Sequence, residues 1–392
     1  MAQLCAQLRV LFFVGNVFHL IPCRYNSKTD QFETNFKLSL VAFVMSLSLS
    51  SVHMCFDWFQ IWNGERYYTS RVFNFLLLLH IATFPMTIVY MLLLSFTKRV
   101  RIAMLYNELF TDRSWRFFGK RTSSWYVSSH RLGRFATAVI TGAAFYLFLL
   151  ILTGYESITK FPLAVTIFEA IRLYAMLVAI LIYVVCVVVI KMRFKQIQER
   201  VQLYGASMNT FRQWNIFLDH YHVGVSMVNE INDNFSVLLL MVLVQVQVQL
   251  TNQFFVLYSS MQQGIPPAVS KIMMLYTQFW ESSFLFILLL VGYACDSCHD
   301  QIDRVNVAIR NFVGEIEANP SNLQPRITCA WKWLDRFNLQ TLYQIKRQRF
   351  LVGGMFVLDN KFVCMALTSM VTYLVILIQF RQYETEDMRS QF

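Results

Sequence analysis

Thr372-Tyr373-Leu374-Val375-Ile376-Leu377-Ile378-Gln379-Phe380 sets five aliphatic residues between two pairs that each join a polar to an aromatic side chain. Upstream lie Gly353 and Gly354, and from Met355 onward a single charge pair, Asp359 and Lys361, interrupts the apolar residues. About twenty such residues cross the hydrocarbon core of a bilayer as a helix. The stretch is therefore read as the end of a membrane span running from Met355 to Phe380, the last of several.

The composition agrees. Of 392 residues 56% are hydrophobic, 36 are Phe and only 15% are charged, a balance foreign to soluble domains. Apolar windows predict seven spans: Leu38 to Phe56, Val72 to Thr97, Phe135 to Thr153, Phe161 to Ile190, Phe235 to Tyr258, Ser270 to Ala294, and Met355 to Phe380. The fourth, at 30 residues, exceeds what a bilayer requires, so it tilts or projects from the lipid. The net charge of +11 resides in the loops, where Lys and Arg set orientation, and implies no nucleic-acid partner. Segments 1–37, 98–134, 191–234 and 295–354 hold 26 Lys and Arg, against 6 in the alternate segments. The positive-inside rule puts the N-terminus in the cytoplasm and, after seven spans, the C-terminus outside. A G-protein-coupled receptor has the opposite orientation; a transporter would call for internal repeats or paired broken spans, which are not seen. No glycine-rich phosphate loop or hydrolytic triad argues for an enzyme.

The pattern Thr372-Tyr373, five hydrophobics, Gln379-Phe380 in the final span resembles the signature of the insect gustatory receptors. Length, span number and loop pattern extend the resemblance over the whole chain. The resemblance implies an all-α membrane protein with a cytoplasmic N-terminus and an extracellular C-terminus. It further implies a homo- or heterotetramer with other gustatory receptor subunits, a ligand-gated cation channel whose central pore is lined by the last helix. Its setting would be the plasma membrane of a sensory neuron, multi-pass, on dendrite, axon and cell body. The ligand would be a small-molecule tastant. Sugar-tuned members carry Glu directly after the Thr-Tyr pair; this chain has Leu374, which points to a non-sugar, bitter or aversive compound. Membrane lipid is the other partner, and no cofactor is implied.

Thr372, Tyr373, Ile376, Gln379 and Phe380 share one helical face. With four copies around an axis, Gln379 would offer amides in place of ion hydration, and Ile376 or Phe380 could close the path by dewetting. Alternatively Gln379 is a polar residue at a span end; Thr372 and Tyr373 would bond neighbouring helices. Polar residues also gather in the expected outer halves of the other spans: His80 in the second, Tyr146 in the third and Tyr155 just beyond it, Glu169 and Arg172 in the fourth, Gln249, Asn252 and Gln253 in the fifth, and Gln278, Trp280 and Glu281 in the sixth. Such groups are costly in lipid and face a cavity or one another. As a set they suggest a small-molecule pocket, with Gln249, Asn252, Gln253 and Glu281 foremost; singly, each could be an interhelical hydrogen bond.

The loops carry structure of their own. From Phe211 to Val228 apolar residues recur every three or four positions, so the fifth helix begins well inside the cytoplasm, and Ile302 to Ile316 extend the sixth until Asn319-Pro320. A further amphipathic helix is expected over Ile327 to Phe350. Val10 to Ile21 reads as an uncleaved amphipathic or interfacial segment rather than a signal peptide, lacking a small-residue cleavage site. Cys295-Asp296-Ser297-Cys298-His299 has the spacing of half a zinc site without a second half; packing or palmitoylation is the expected role, and no metal. The expected division is 1–37 cytoplasmic segment, 38–294 six-helix ligand-binding bundle, 295–354 cytoplasmic anchor, 355–381 pore-lining helix and 382–392 extracellular tail.

Overall fold

The computed structural model describes residues 2–18, 20–26, 31–37, 71–110, 123–157, 163–204, 211–262, 267–318 and 348–390, with single residues and short pieces between 29 and 55. Its elements are α1 (Ala2–Val17), β1 (Arg24–Asn26), β2 (Gln31–Glu33), α2 (Arg71–Thr97), α3 (Arg99–Phe110), α4 (Ser123–Ser157), α5 (Leu163–Tyr204), α6 (Phe211–Gln262), α7 (Pro267–Ala318), β3 (Leu351–Val352), β4 (Phe356–Val357) and α8 (Asn360–Ser390). Among the described residues, α4, α5, α6, α7 and α8 are long and apolar enough to cross a membrane.

The order of burial follows from composition. A helix apolar on every side belongs inside a bundle, and α5 is one: from Leu173 to Ile190 nearly every side chain is buried. It packs against α1, α4, α6 and α7. The α8 helix is the reverse, apolar yet exposed along most of its length. It touches α6 and α7 through a stripe containing Val363, Leu367 and Met370. Pro85 lies inside α2; the hydroxyls of Thr83 and Thr87 donate to Leu79 O at 2.8 Å and Thr83 O at 2.9 Å on either side of it. Such back-bonding helps a spanning helix tolerate proline.

Several boundaries differ from the sequence expectation. The last helix starts at Asn360, not Met355, because Gly353 and Gly354 adopt φ of 58° and 73° and turn the chain through the hairpin β3–β4. Asp359 then caps α8, accepting from Phe362 N at 2.8 Å. At its other end α8 continues to Ser390, so residues 382–390 are helix rather than a separate tail. The structure is mostly helical, as expected, and the two short hairpins β1–β2 and β3–β4 are the other regular elements among the described residues. Helix α4 begins at Ser123 and α5 runs to Tyr204, so these too project past the expected spans at Phe135 and Ile190. The expected helix from Ile327 lies outside the described residues up to Arg347; of the 19 residues of the expected span from Leu38 to Phe56, ten are described, all of them helical.

The N-terminal segment packs one face into the core and leaves Val10, Phe13 and Val17 exposed on the other. Leu8, Leu11 and Phe12 of α1 are buried, and α1 packs on α4 and α5. The Phe12 ring lies 5.0 Å from Phe32 and 5.4 Å from Phe110. Asn107 of α3 holds β2 by both backbone groups of Phe32, accepting from its N–H at 2.6 Å and donating to its carbonyl at 3.0 Å.

Candidate functional site

Between α4, α5 and α7 lies a cavity of ≈ 300 Å³, lined by Val139, Gly142, Ala143, Tyr146, Leu177, Ser282, Ser283 and Phe286. That volume is at the small end of ligand sites, and the lining has their usual character: apolar walls with a few hydroxyls. Tyr146 ties the walls together. Its hydroxyl lies 2.6 Å from Ser282 Oγ and donates to the Phe279 carbonyl, while its ring meets Phe279 edge-on at 4.9 Å. Ser283 Oγ donates to the same carbonyl at 3.0 Å. Gly142 keeps the cavity open, since a Cβ there would meet no atom within 4 Å.

The expected pocket residues do not all converge on this cavity. Tyr146 lines it, and Glu281 immediately precedes Ser282 and Ser283 without being part of the lining. Glu281 is half-buried, and its Oε1 is buried with no hydrogen-bond partner. Gln249 is buried in α6, with Asn252 and Gln253 half-buried on the next turn. One turn earlier on that stripe, Gln245 is fully buried and neither atom of its amide has a partner. Arg172 is buried on α5 and Gln278 is exposed on α7. His80, Tyr155, Glu169 and Trp280 fall on α2, α4, α5 and α7, with side chains outside the described residues. Ser282, Ser283 and Gly142 line the cavity with no motif to mark them; their signal in sequence is small residues in otherwise apolar spans, the kind that let helices approach.

On α8, Thr372, Tyr373, Ile376, Gln379 and Phe380 are all exposed, on the side away from the Val363–Met370 stripe. Thr372 Oγ1 donates to Thr368 O at 3.0 Å within the helix.

The residues just before α8 are stitched to α6 and α7. Asn232 of α6 accepts from Leu351 N at 2.9 Å and donates to Arg349 O at 2.8 Å. Gly353 N donates to Ser236 O at 2.9 Å. Tyr221, Asn306 and Gln348 form a closed buried ring of hydrogen bonds at 2.7, 3.3 and 3.0 Å. Polar groups thus tie α6 and α7 to the residues that lead into α8, and such buried bonds are costly to abandon.

The family described as 7tm Chemosensory receptor matches residues 8–384. This chain belongs to that family. The receptor's fold is similar to the solved structure of the insect olfactory receptor OR5 from Machilis hrabei, with a TM-score of 0.65 and 11% identity over 97% of this chain and 99% of that one. The same olfactory receptor in complex with eugenol gives a TM-score of 0.63 and 11% identity over 96% and 99% of the two chains. No curated protein matches the sequence.

In this receptor the Cys295–His299 segment serves packing. Cys295 and Cys298 are fully buried and free, with Cys295 Sγ 3.2 Å from Tyr183 Oη. Burial removes the palmitoylation alternative, which needs an accessible thiol. His299, below the expected inner end of the sixth span, accepts from Phe350 N at 2.8 Å through Nε2 and stacks on the Phe350 ring at 5.5 Å. A histidine accepting there is neutral, with its proton on Nδ1. Burial, with Arg349 adding to it against the opposing pull of Asp359, pushes its pKa down to about 4.

Proposed function

We propose that the receptor is a ligand-gated cation channel of four chains in which α8 lines a central pore. The observation carrying this reading is the exposed face of α8. Apolar surface can face lipid, but the exposed Thr372 and Gln379 on that face are costly there and call for neighbouring helices or a water-filled path. Thr372, Ile376 and Gln379 recur on that face at intervals of four and three, and four such faces would put a ring of amides and a ring of aliphatic side chains around one axis. Such rings suit passage of partly dehydrated cations and closure by dewetting.

The reading has seven spans, with the first over residues 38–56 and the others on α2, α4, α5, α6, α7 and α8. The loop charge supports a cytoplasmic N-terminus and an outward C-terminus; this opposes a G-protein-coupled receptor, and the family and fold likenesses lend that class no support. Residues 38–294 would form the ligand-binding bundle, 295–354 the cytoplasmic anchor, and α8 the pore helix with its outward extension.

The cavity beside Tyr146 would admit a small, mostly apolar molecule with one or two hydrogen-bonding groups. An olfactory receptor of the same fold has been solved in complex with eugenol, which supports a ligand of that general size. The Thr372-Tyr373…Gln379-Phe380 pattern favours a gustatory over an olfactory role, and Leu374 a non-sugar tastant. The place of action would be the plasma membrane of a sensory neuron.

Gln379→Glu tests the pore. It should change the relative permeability of divalent and monovalent cations at undiminished surface expression, since it adds four carboxylates to a constriction. Unaltered permeability ratios in a conducting channel would remove Gln379 from the pore.

A further inference from the structure

Gln247 of α6 reaches the backbone of α8. One orientation of its amide donates to Ser369 Oγ at 3.1 Å. With oxygen and nitrogen exchanged, the nitrogen donates to Ala366 O at 3.1 Å while the oxygen accepts from Met370 N at 2.9 Å and Ser369 Oγ at 3.1 Å. The second orientation satisfies every neighbour, and the network decides the assignment of an amide. Ala366 O and Met370 N are also the acceptor and donor of one i to i+4 bond of α8. The Gln247 amide therefore offers each member of that backbone pair a second partner. The single proton of Ser369 Oγ can go either to the Gln247 amide oxygen or to Ala366 O, which lies 2.8 Å away.

A helix in a membrane bends only where backbone groups released from its ladder find other partners. The Ala366–Met370 turn has such partners built in. It also divides two unlike halves of α8. Below it, Asn360 Nδ2 donates to Asp296 Oδ2 at 2.5 Å and Val363 is buried against α7 at Gly292. Above it, residues 371–373 and 375–376 are exposed, and so are Gln379 and Phe380.

We propose that Gln247 is a positioning residue for the gate: its amide holds the Ala366–Met370 turn of α8 as a hinge and sets the angle of the Thr372–Phe380 segment relative to the clamped start of the helix. This rests on the reading of α8 as the pore helix. Gln247 touches no permeating ion and acts through the backbone it bonds.

The test uses the full-length channel in cells and compares ligand-free with ligand-saturated current. Gln247→Leu, which keeps the bulk and removes the amide, should change that ratio by about threefold or more, the scale of a lost hydrogen-bond pair. Cation permeability ratios should stay as in the parent. Ser369→Ala should change the ratio less in Gln247→Leu than in the parent, because only its bond to Ala366 O is left to lose. A current ratio within about twofold of the parent at normal surface expression, or full additivity with Ser369→Ala, overturns the proposal. Should the leucine variant not reach the surface, Gln247→Asn decides by the same criterion, since it keeps the polarity but withdraws the amide by one methylene. The pore reading fails separately: Gln379→Glu would then leave permeability unchanged whatever Gln247 variants do to the ratio.

Discussion

Gly292 of α7 and Val363 of α8 meet so closely that a Cβ on the glycine would lie 2.3 Å from Val363 Cγ2. Neither helix can give way cheaply, because Asn360 is bonded to Asp296 one turn below and Val363 is buried. Gly292→Ala should therefore destabilise the purified receptor by about 1–3 kcal/mol, the usual cost of overpacking. Thermal unfolding would show a lower midpoint, and Val363→Ala in the same chain should restore part of it by making room for the new methyl. A midpoint unchanged by Gly292→Ala would mean that α7 and α8 do not rest on each other here.

Gly142 is the opposite case. A side chain placed there enters the cavity beside Tyr146 and strikes nothing. Gly142→Val should leave thermal stability within about 1 kcal/mol of the parent, or raise it, as glycine is a poor residue inside a helix. It should also raise the agonist concentration for half-maximal current by about tenfold or more, through lost ligand volume. Full agonist sensitivity in a normally expressed Gly142→Val channel would place the ligand elsewhere, and the buried amides of Gln245 and Gln249 would be the next positions to test.

The spanning helices were legible because bilayer thickness and the loss of charge act over twenty residues at once. The extensions of α6 before its apolar run and of α7 after its own were legible for a related reason: Trp214, Tyr221, Val225, Ile302, Val305 and Ile309 keep the helical period outside those runs. The start of α8 was not, since a count of apolar residues from Met355 cannot see that two glycines at positive φ reverse the chain. Nor was the cavity, because Ser282 and Ser283 in sequence resemble any hydroxyls that bond back to their own helix, as both also do. What makes them cavity residues is the small surface of Gly142 and Ala143 on a helix more than a hundred residues away. The stripe Gln249, Asn252 and Gln253 shares a face as the spacing requires, but which neighbour that face meets depends on how α6 is rotated in the bundle.

His299 makes stability depend on pH. Its folded pKa of about 4 lies below the ordinary value of 6.5, so the unfolded chain binds the proton first as pH falls. The contribution is complete above pH 6.5 and is lost progressively as pH drops from there towards 4. Unfolding midpoints of the receptor at pH 8 and pH 5 should differ more than those of His299→Gln, which cannot titrate. His299→Gln should also be less stable at pH 8, having lost the stacking on Phe350. Equal pH dependence in the two proteins would show that His299 is not the group responsible.

Asn232 closes the connection between α6 and the residues leading into α8, and its two bonds can be separated. Asn232→Leu leaves Leu351 N–H and Arg349 C=O without their side-chain partner, a loss of about 1–3 kcal/mol for each group that stays buried and unsatisfied. Asn232→Asp keeps the acceptor for Leu351 N–H and loses only the donor, so it should cost less. Since β3 and β4 lead directly into α8, the same series should weaken transmission: maximal agonist-evoked current should fall in the order parent, Asn232→Asp, Asn232→Leu. Surface expression measured alongside separates lost coupling from lost protein. Currents that scale only with the amount at the surface would reduce Asn232 to a structural support and move the transmission of ligand binding to the direct contacts of α6 and α7 with α8.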